Sequence, residues 1–453
     1  MWEVASGINY FKGWNFMTRR VSWLTWLFTI AVLLVVGMAV APATASAEEE
    51  EQITLRYMTW VSAVGAEWIQ EDFIEPFQEL HPNIKIEHEY VPFAQLFDKV
   101  VTYIAAGNPP DLMHMSVAYV YEYAEQGLLL NLQPYFERDL NPDDFFLEPM
   151  KAVRYPDMET GDLYAIPFAF IVSNIFYNRD MFNQFGLESP NDAWTWYDLA
   201  DSARRLTRDM DGDGTPDQWG FHSSWDYYLF DSVIHAWGGR ILDSDFNVVV
   251  DSPEAIQGAR FLVDLVLRDQ AAPPISVMSS AMRGFLNQQL AMYVGNMGDL
   301  STYRQDAFFD WDVAMMPEGP AKRVVRMGPD SFAILADSRH PEEAWEYIKF
   351  VITQEKVDRY SGSRKLPIYK PLALSPEWME RDLPPDKEVF IRSVAYGDPL
   401  EFRPRWNEWH GARASILRPA FEGSVPIDEA MINWARAIDA AVAPVRAVRQ
   451  QQQ

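Results

Sequence analysis

The sequence predicts an α/β fold divided into two lobes, and three observations carry that expectation. From residue 53 onward, short runs with strand periodicity alternate with runs of helical periodicity, the pattern of a parallel sheet covered by helices on both faces. The chain has 453 residues, more than one core usually serves at about 100–200 residues per domain. Hydrophobic residues make up 48% and charged residues 23% of it, a globular composition rather than a disordered one.

Ile53 to Thr59 alternates with period two and reads as the first strand. Trp68, Ile69, Phe73, Phe77 and Leu80 recur at helical spacing, with Pro82 as the stop. Ile84, Ile86, His88 and Tyr90 alternate again. Leu96, Val100, Tyr103 and Ile104 form the next helical stripe, closed by Gly107 and Pro109-Pro110. Later helices are predicted at 253–268, 279–289, 341–353 and 428–442, with short strands such as Leu290 to Val294 between them. There is no internal repeat and no low-complexity linker, so short crossovers should join the lobes. In open parallel sheets, ligands sit beyond the carboxyl ends of strands. That geometry points to Trp60 through Ser62, to Met115, Ser116 and Tyr119, and to Asn296, Met297, Gly298 and Asp299.

Residues 1–47 read as an export signal with a possible extension at 1–16. Arg19-Arg20 form a positive start, Val21 to Ala41 carry no charge, and Ala45-Ser46-Ala47 is a small-x-small cleavage site. The rival reading is a retained transmembrane helix, since 21 apolar residues could span a bilayer. Cleavage after residue 47 would leave 35 basic against 64 acidic residues, a net charge of −29. Such an acidic surface argues against nucleic acid as a partner. With no cysteine in the chain, a lipoprotein anchor, a disulfide and a thiolate site are all excluded. A freely diffusing exported protein needs an outer barrier to retain it, so a periplasm is the expected location.

Catalytic signatures are missing from the sequence. It contains no Gly-x-Ser-x-Gly elbow, no His-Glu-x-x-His, no Walker loop and no Gly-x-Gly-x-x-Gly. The seven histidines show no close pair at metal-ligand spacing. The sharpest local motif is Asp209, Asp211, Asp213, Thr215 and Asp217, spaced like the first part of a calcium loop. Gly220 stands where the bidentate Glu belongs, with Asp226 as a conceivable substitute. A structural Ca²⁺ and an Asp/Gly-rich surface turn without an ion both fit. No other cofactor is expected.

An ordered series of motifs goes further. Ile53 to Trp60 and Phe73 to Ile86 come first, then Ala105 to Leu112 and Tyr123 to Leu128. Gly161 to Pro167, Phe176 to Asn178 and Thr195 to Leu199 follow, then Trp237 to Gly239 and Ala291 to Gly295. Glu342 to Trp345, Arg364 to Pro367 and Trp406 to Arg436 complete it. Over 53–440 the chain resembles the extracellular solute-binding proteins of sugar ABC importers, the maltose-binding-protein-like family.

The resemblance implies a type II-like periplasmic-binding-protein fold: two lobes around a ligand cleft, with a helical C-terminal segment. Lobe 1 would comprise 48–167 and 328–352, and lobe 2 would comprise 168–327 and 353–453. Beside the strand-end residues, it implies ligand contacts from Trp225, Asp226, Tyr228, Trp406 and Trp409. Arg364 joins Asp226 and Asp299 as a candidate rim contact. Aromatic rings would cover the apolar faces of a pyranose while polar side chains bond its hydroxyls. The expected function is delivery of a sugar to ABC permease transmembrane subunits by a monomer without catalysis. A secreted carbohydrate-active enzyme, a lectin, and a receptor for a polyol, glycerol phosphate or oligopeptide are the alternatives. The phosphate version is disfavoured by the lack of a basic cluster near the expected cleft.

Overall fold

The computed structural model describes residues 52–357, 360, 365–379, 384, 386, 388–399 and 403–452. The export signal expected at 1–47 lies outside the described residues, as does Arg364. Among the described residues, no helix is long and apolar enough to cross a membrane.

Alternation sets the first strand, β1 (Ile53–Thr59), whose Leu55 and Tyr57 are fully buried. Helix α1 (Ala63–Ile69) continues through a π-helical turn at Gln70–Ile74 into α2 (Glu75–Leu80). It buries the Ile69, Phe73 and Phe77 stripe that the spacing predicts. Strand β2 (Ile84–Tyr90), helix α3 (Phe93–Ala105), strand β3 (Leu112–Ser116) and helix α4 (Val117–Glu125) follow. Both β2 and β3 pair with β1 in parallel, as helical crossovers require.

The middle of the sheet differs from the all-parallel expectation. Strand β4 (Ile166–Asn178) runs 13 residues through both halves of the molecule. After α5 (Trp196–Leu206), β5 (Trp219–Phe221), α6 (Tyr227–Ala236), α7 (Pro253–Leu267), β6 (Leu290–Asn296) and β7 (Trp311–Ala314), strand β8 (Val325–Ile334) brings the chain back. A strand that returns across the molecule must run against the strands that lead outward. Accordingly β8 pairs antiparallel with β3 and β4, and β4 pairs antiparallel with β6 and β7. Helix α8 (Pro341–Ile352), strands β9 (Leu366–Pro367) and β10 (Gly397–Pro399), and helices α9 (Trp406–Phe421) and α10 (Ile427–Gln452) complete the chain. The ten-stranded sheet has the main order β2-β1-β3-β8-β4-β6-β5, with β9 and β7 on β4 and β10 on β8.

The segment after α8 departs from the predicted division. Assigned to lobe 2 by its position, it packs instead with the first half of the sheet. Tyr360 lies 4.5 Å, ring to ring, from Phe73, and its hydroxyl donates to that of Tyr57 at 3.0 Å. Leu366 and Pro367 pair with Phe170 and Ala169 of β4. Aromatic complementarity decides this placement, and chain order does not reveal it.

Burial holds several histidines neutral. It depresses His88 and His222 to about 4 and His114 well below its ordinary value. The unfolded chain binds protons at about 6.5 while these folded sites refuse them. Their contribution to stability is therefore complete above pH 6.5 and declines as the pH falls toward 4. The loss of unfolding free energy between pH 6.5 and 4 should be smaller in His222→Asn than in the wild type. Equal losses by urea titration would refute this.

Candidate functional site

A cleft of about 580 Å³ opens on the second half of the sheet. Its first wall is the segment from His222 to Leu229, which leaves β5 in extended form and enters α6. Asp226 stops the extended run by capping α6, accepting the Tyr228 N–H at 3.0 Å. That cap places Trp225, Tyr227 and Tyr228 side by side along the opening.

The second wall is the carboxyl end of β6. Asn296 and Asp299 form a reciprocal capping box there. The Asp299 carboxylate also accepts the Tyr293 hydroxyl at 3.0 Å. Gly295 permits this meeting, because a Cβ there would lie 2.7 Å from both the carboxylate and the hydroxyl.

One face of α9 forms the third wall through His410, Arg413, Ala414 and Arg418. His410 stacks on Trp406 with ring centroids 4.1 Å apart. Arg413 is 2% exposed and forms an ion pair with Asp231 of α6 at 2.6 Å. Arg418 lies over the Trp225 ring at 5.4 Å.

Burial dominates the electrostatics. It raises the carboxyls of Asp226 and Asp299, and the Tyr228 N–H and Arg413 partly offset the shift at Asp226. Asp226 borders the cleft and keeps solvent exposure there, although its surroundings are densely packed. Burial, reinforced by the charge of Arg413, holds His410 at about 4. It is neutral at pH 7.

The structure brings Trp225, Asp226, Tyr228, Asn296 and Asp299 together on the cleft. Trp406 adjoins them through His410 and lies 6.4 Å from the Tyr227 ring. The remaining expected residues stand elsewhere. Met115, within the fully buried part of β3, and Met297, which opens the 3-10 turn after β6, are both in the core. Trp409 is also core: it packs on Trp434 and its Nε1 donates to the Pro404 carbonyl at 3.3 Å. Gly298 gives its N–H to Asn296 within the capping box.

Ser62 and Ser116 serve as N-caps of α1 and α4. Trp60 lies 5.4 Å from Phe93 and 4.9 Å from His114, ring to ring. Tyr119 stacks on Phe97 at 3.6 Å while its hydroxyl meets the Asn407 side chain at the start of α9. Asp330 of β8 pairs in register with Ser116, forms an ion pair with Lys365, and its charge reaches Tyr228.

Sequence reasoning missed His410, Arg413 and Arg418. The available signal was the helical period, since 406, 410, 414 and 418 form one i, i+4 row, with 409 and 413 on its inner flank. These two arginines bear on the expectation that no basic cluster stands near the cleft.

In the Asp-rich loop, carboxylate oxygens of Asp209, Asp211 and Asp217 lie within 4.8 Å of one another. Asp213 turns away to accept the Thr215 N–H. Asp209 already accepts the N–H groups of Gly212 and Gly214. Gly220 cannot be replaced by a ligating Glu, because a Cβ there would sit 2.0 Å from the Ala203 carbonyl of α5. Asp226 is committed to the cleft.

A two-lobed α/β fold with a cleft lined by aromatic rings and carboxylates fits a solute-binding protein. The chain belongs to the bacterial extracellular solute-binding protein family, whose model matches residues 62–357. It is 23% identical over 262 residues to the sn-glycerol-3-phosphate-binding periplasmic protein UgpB of Salmonella paratyphi A, covering 54% of this chain and 57% of that one. In structure it resembles the sugar-binding protein MalE of Xanthomonas citri, with a TM-score of 0.75 and 18% identity over 88% of this chain and 99% of that one. The substrate-binding protein Lmo0181 of Listeria monocytogenes, solved with cycloalternan, gives a TM-score of 0.72 and 22% identity over 87% of this chain and all of that one.

The Asp226 cap is separable from any role in binding. Asp226→Ala should cost about 1 kcal/mol of stability, and Asp226→Asn, which keeps the cap, only a few tenths. Equal denaturation midpoints for the two variants would show that the cap carries no weight.

Proposed function

We propose that this protein is the substrate-binding component of an ABC import system. It holds a sugar or oligosaccharide in the cleft and delivers it to membrane permease subunits. In this proposal the mature protein is a periplasmic monomer released by signal cleavage, without a lipid anchor, and it performs no chemistry. The observation that carries the reading is the cleft itself. Trp225, Tyr227, Tyr228 and the Trp406–His410 stack offer flat faces beside Asp226, Asn296 and Asp299. Flat rings suit the C–H faces of a pyranose, and convergent acceptors suit its rim of hydroxyls.

Strands β4 and β8 are the natural hinge of such a receptor, since the chain crosses between the halves there. A second reading, a phosphorylated polyol, draws on Arg413 and Arg418 at the cleft. In the Asp-rich loop, Asp209, Asp211 and Asp217 would hold a hard cation such as Ca²⁺ weakly, because the twelfth ligand is missing.

A thermal-shift scan against mono- and oligosaccharides, polyols and amino acids tests the main proposal. A sugar at about 100 times its dissociation constant should add about 2.7 kcal/mol to stability. The same sugar should shrink the scattering radius as the halves close, and it should be recovered unchanged. Hydrolysis of the sugar, or binding without any change of radius, would remove the transport reading. Trp225→Ala should weaken binding at least tenfold with little change in melting temperature. Calcium should raise the melting temperature only at about millimolar concentration; a strong effect of chelation on the untreated protein would contradict a weak site.

A further inference from the structure

We infer that Arg413 is a hydrogen-bond donor to the ligand in the cleft, and that its pairing with Asp231 selects a neutral hydroxylated molecule over an anionic one. This deepens the proposal of a sugar receptor and rests on it. Arg413 lines the cleft yet is almost entirely buried. One nitrogen, Nη2, donates to Asp231 at 2.6 Å. The guanidinium stands over the Trp434 ring at 4.5 Å and the Phe230 ring at 5.7 Å, cation–π contacts that hold its plane but accept no conventional hydrogen bond. Nε and Nη1 have no hydrogen-bond partner in the protein. A guanidinium donor removed from water without an acceptor carries its whole desolvation penalty. Arg413 borders the cleft, and that is the side from which an acceptor can approach the guanidinium.

The charge balance decides what kind of acceptor fits. Asp231 already neutralises Arg413, so the pair offers an incoming anion no net attraction. Asp226 and Asp299 present carboxylates to the same space, and His410 adds no charge because burial keeps it neutral at pH 7. Arg418 is the remaining cation on this lining, and it is exposed at the rim over Trp225. A phosphate would therefore meet two carboxylates for one uncompensated arginine. A hydroxyl group uses both kinds of wall, accepting from Arg413 and donating to Asp226, whose carboxyl already feels the charge of Arg413. A site built this way also rejects analogues lacking the hydroxyl, since its own donors then stay unpaired.

The test uses the purified exported protein at pH 7 and titration calorimetry with glucose, maltose, mannotriose, glucuronate and glycerol 3-phosphate. The charge-balanced double variant R413Q/D231N leaves no lone buried charge. It should melt near the wild-type temperature and bind the preferred neutral sugar at least tenfold more weakly. R413K keeps the ion pair but loses the planar donors, and it should also lose at least tenfold. If the double variant fails to fold, R413K decides alone. Wild-type affinity in the folded double variant, or in R413K, would overturn the assignment of Arg413 while leaving the sugar receptor standing. Glucuronate or glycerol 3-phosphate binding tenfold tighter than every neutral sugar would overturn the selection of a neutral ligand. No binding of any of these probes would overturn the receptor proposal and this inference together.

Discussion

Two strands are shared by both halves of the sheet, and the cleft depends on them. β4 is buried at 12 of its 13 positions, so its register cannot slip without moving the cores on both sides. β8 returns beside it, and its partner β10 brings Asp398 against Arg326 at 3.1 Å. Asp398 also accepts from His235 of α6 at 2.9 Å and from Lys322 at 3.2 Å. Burial alone would raise the Asp398 carboxyl, yet its contacts with His235, Arg326 and Lys322 hold it well below its usual range. Such a cluster repays its desolvation only when the geometry is kept. It therefore ties α6, whose first turn makes the cleft wall, to the crossing strand.

The halves also meet away from the crossing strands. The Glu122 carboxylate of α4 accepts the backbone N–H of Arg405, a residue held at φ 60° in the left-handed region. The neighbouring Tyr119 hydroxyl bonds Asn407. Both contacts secure the start of α9, the helix that carries His410 and Arg413 into the cleft. The third wall is thus positioned from the first half of the chain, although its residues come from the last fifty. Hinge motion would have to break or carry these contacts.

Much of the fold was legible in local pattern. Alternation at 53–59 and 84–90 and the helical stripes at 68–80 and 96–104 emerged as elements with buried faces, although Leu80 and Tyr90 at their ends are exposed. The strand-end argument picked out Asn296 and Asp299, which line the cleft, together with Met115 and Met297, which are buried. Residues one apart in a strand point to opposite faces, and a strand end alone does not say which face is open. At 406–418 the expected Trp409 lies on the buried side of the helix, while His410 and Arg413, which chemistry alone did not single out, line the cleft.

By itself the sequence determined the α/β alternation, the family, and the concentration of aromatic and acidic groups from which a cleft could be made. These follow from periodicity and motif order, which are local properties of the chain. Only the tertiary structure decided which of them face the cleft. It placed the Tyr360 segment with the first half and turned Trp409 inward. It also set Arg413 beside Asp231, 182 residues away in the chain. No spacing rule reaches across that distance, because the pairing is fixed by how α6 and α9 pack, and burial rather than residue type sets the charge each group carries.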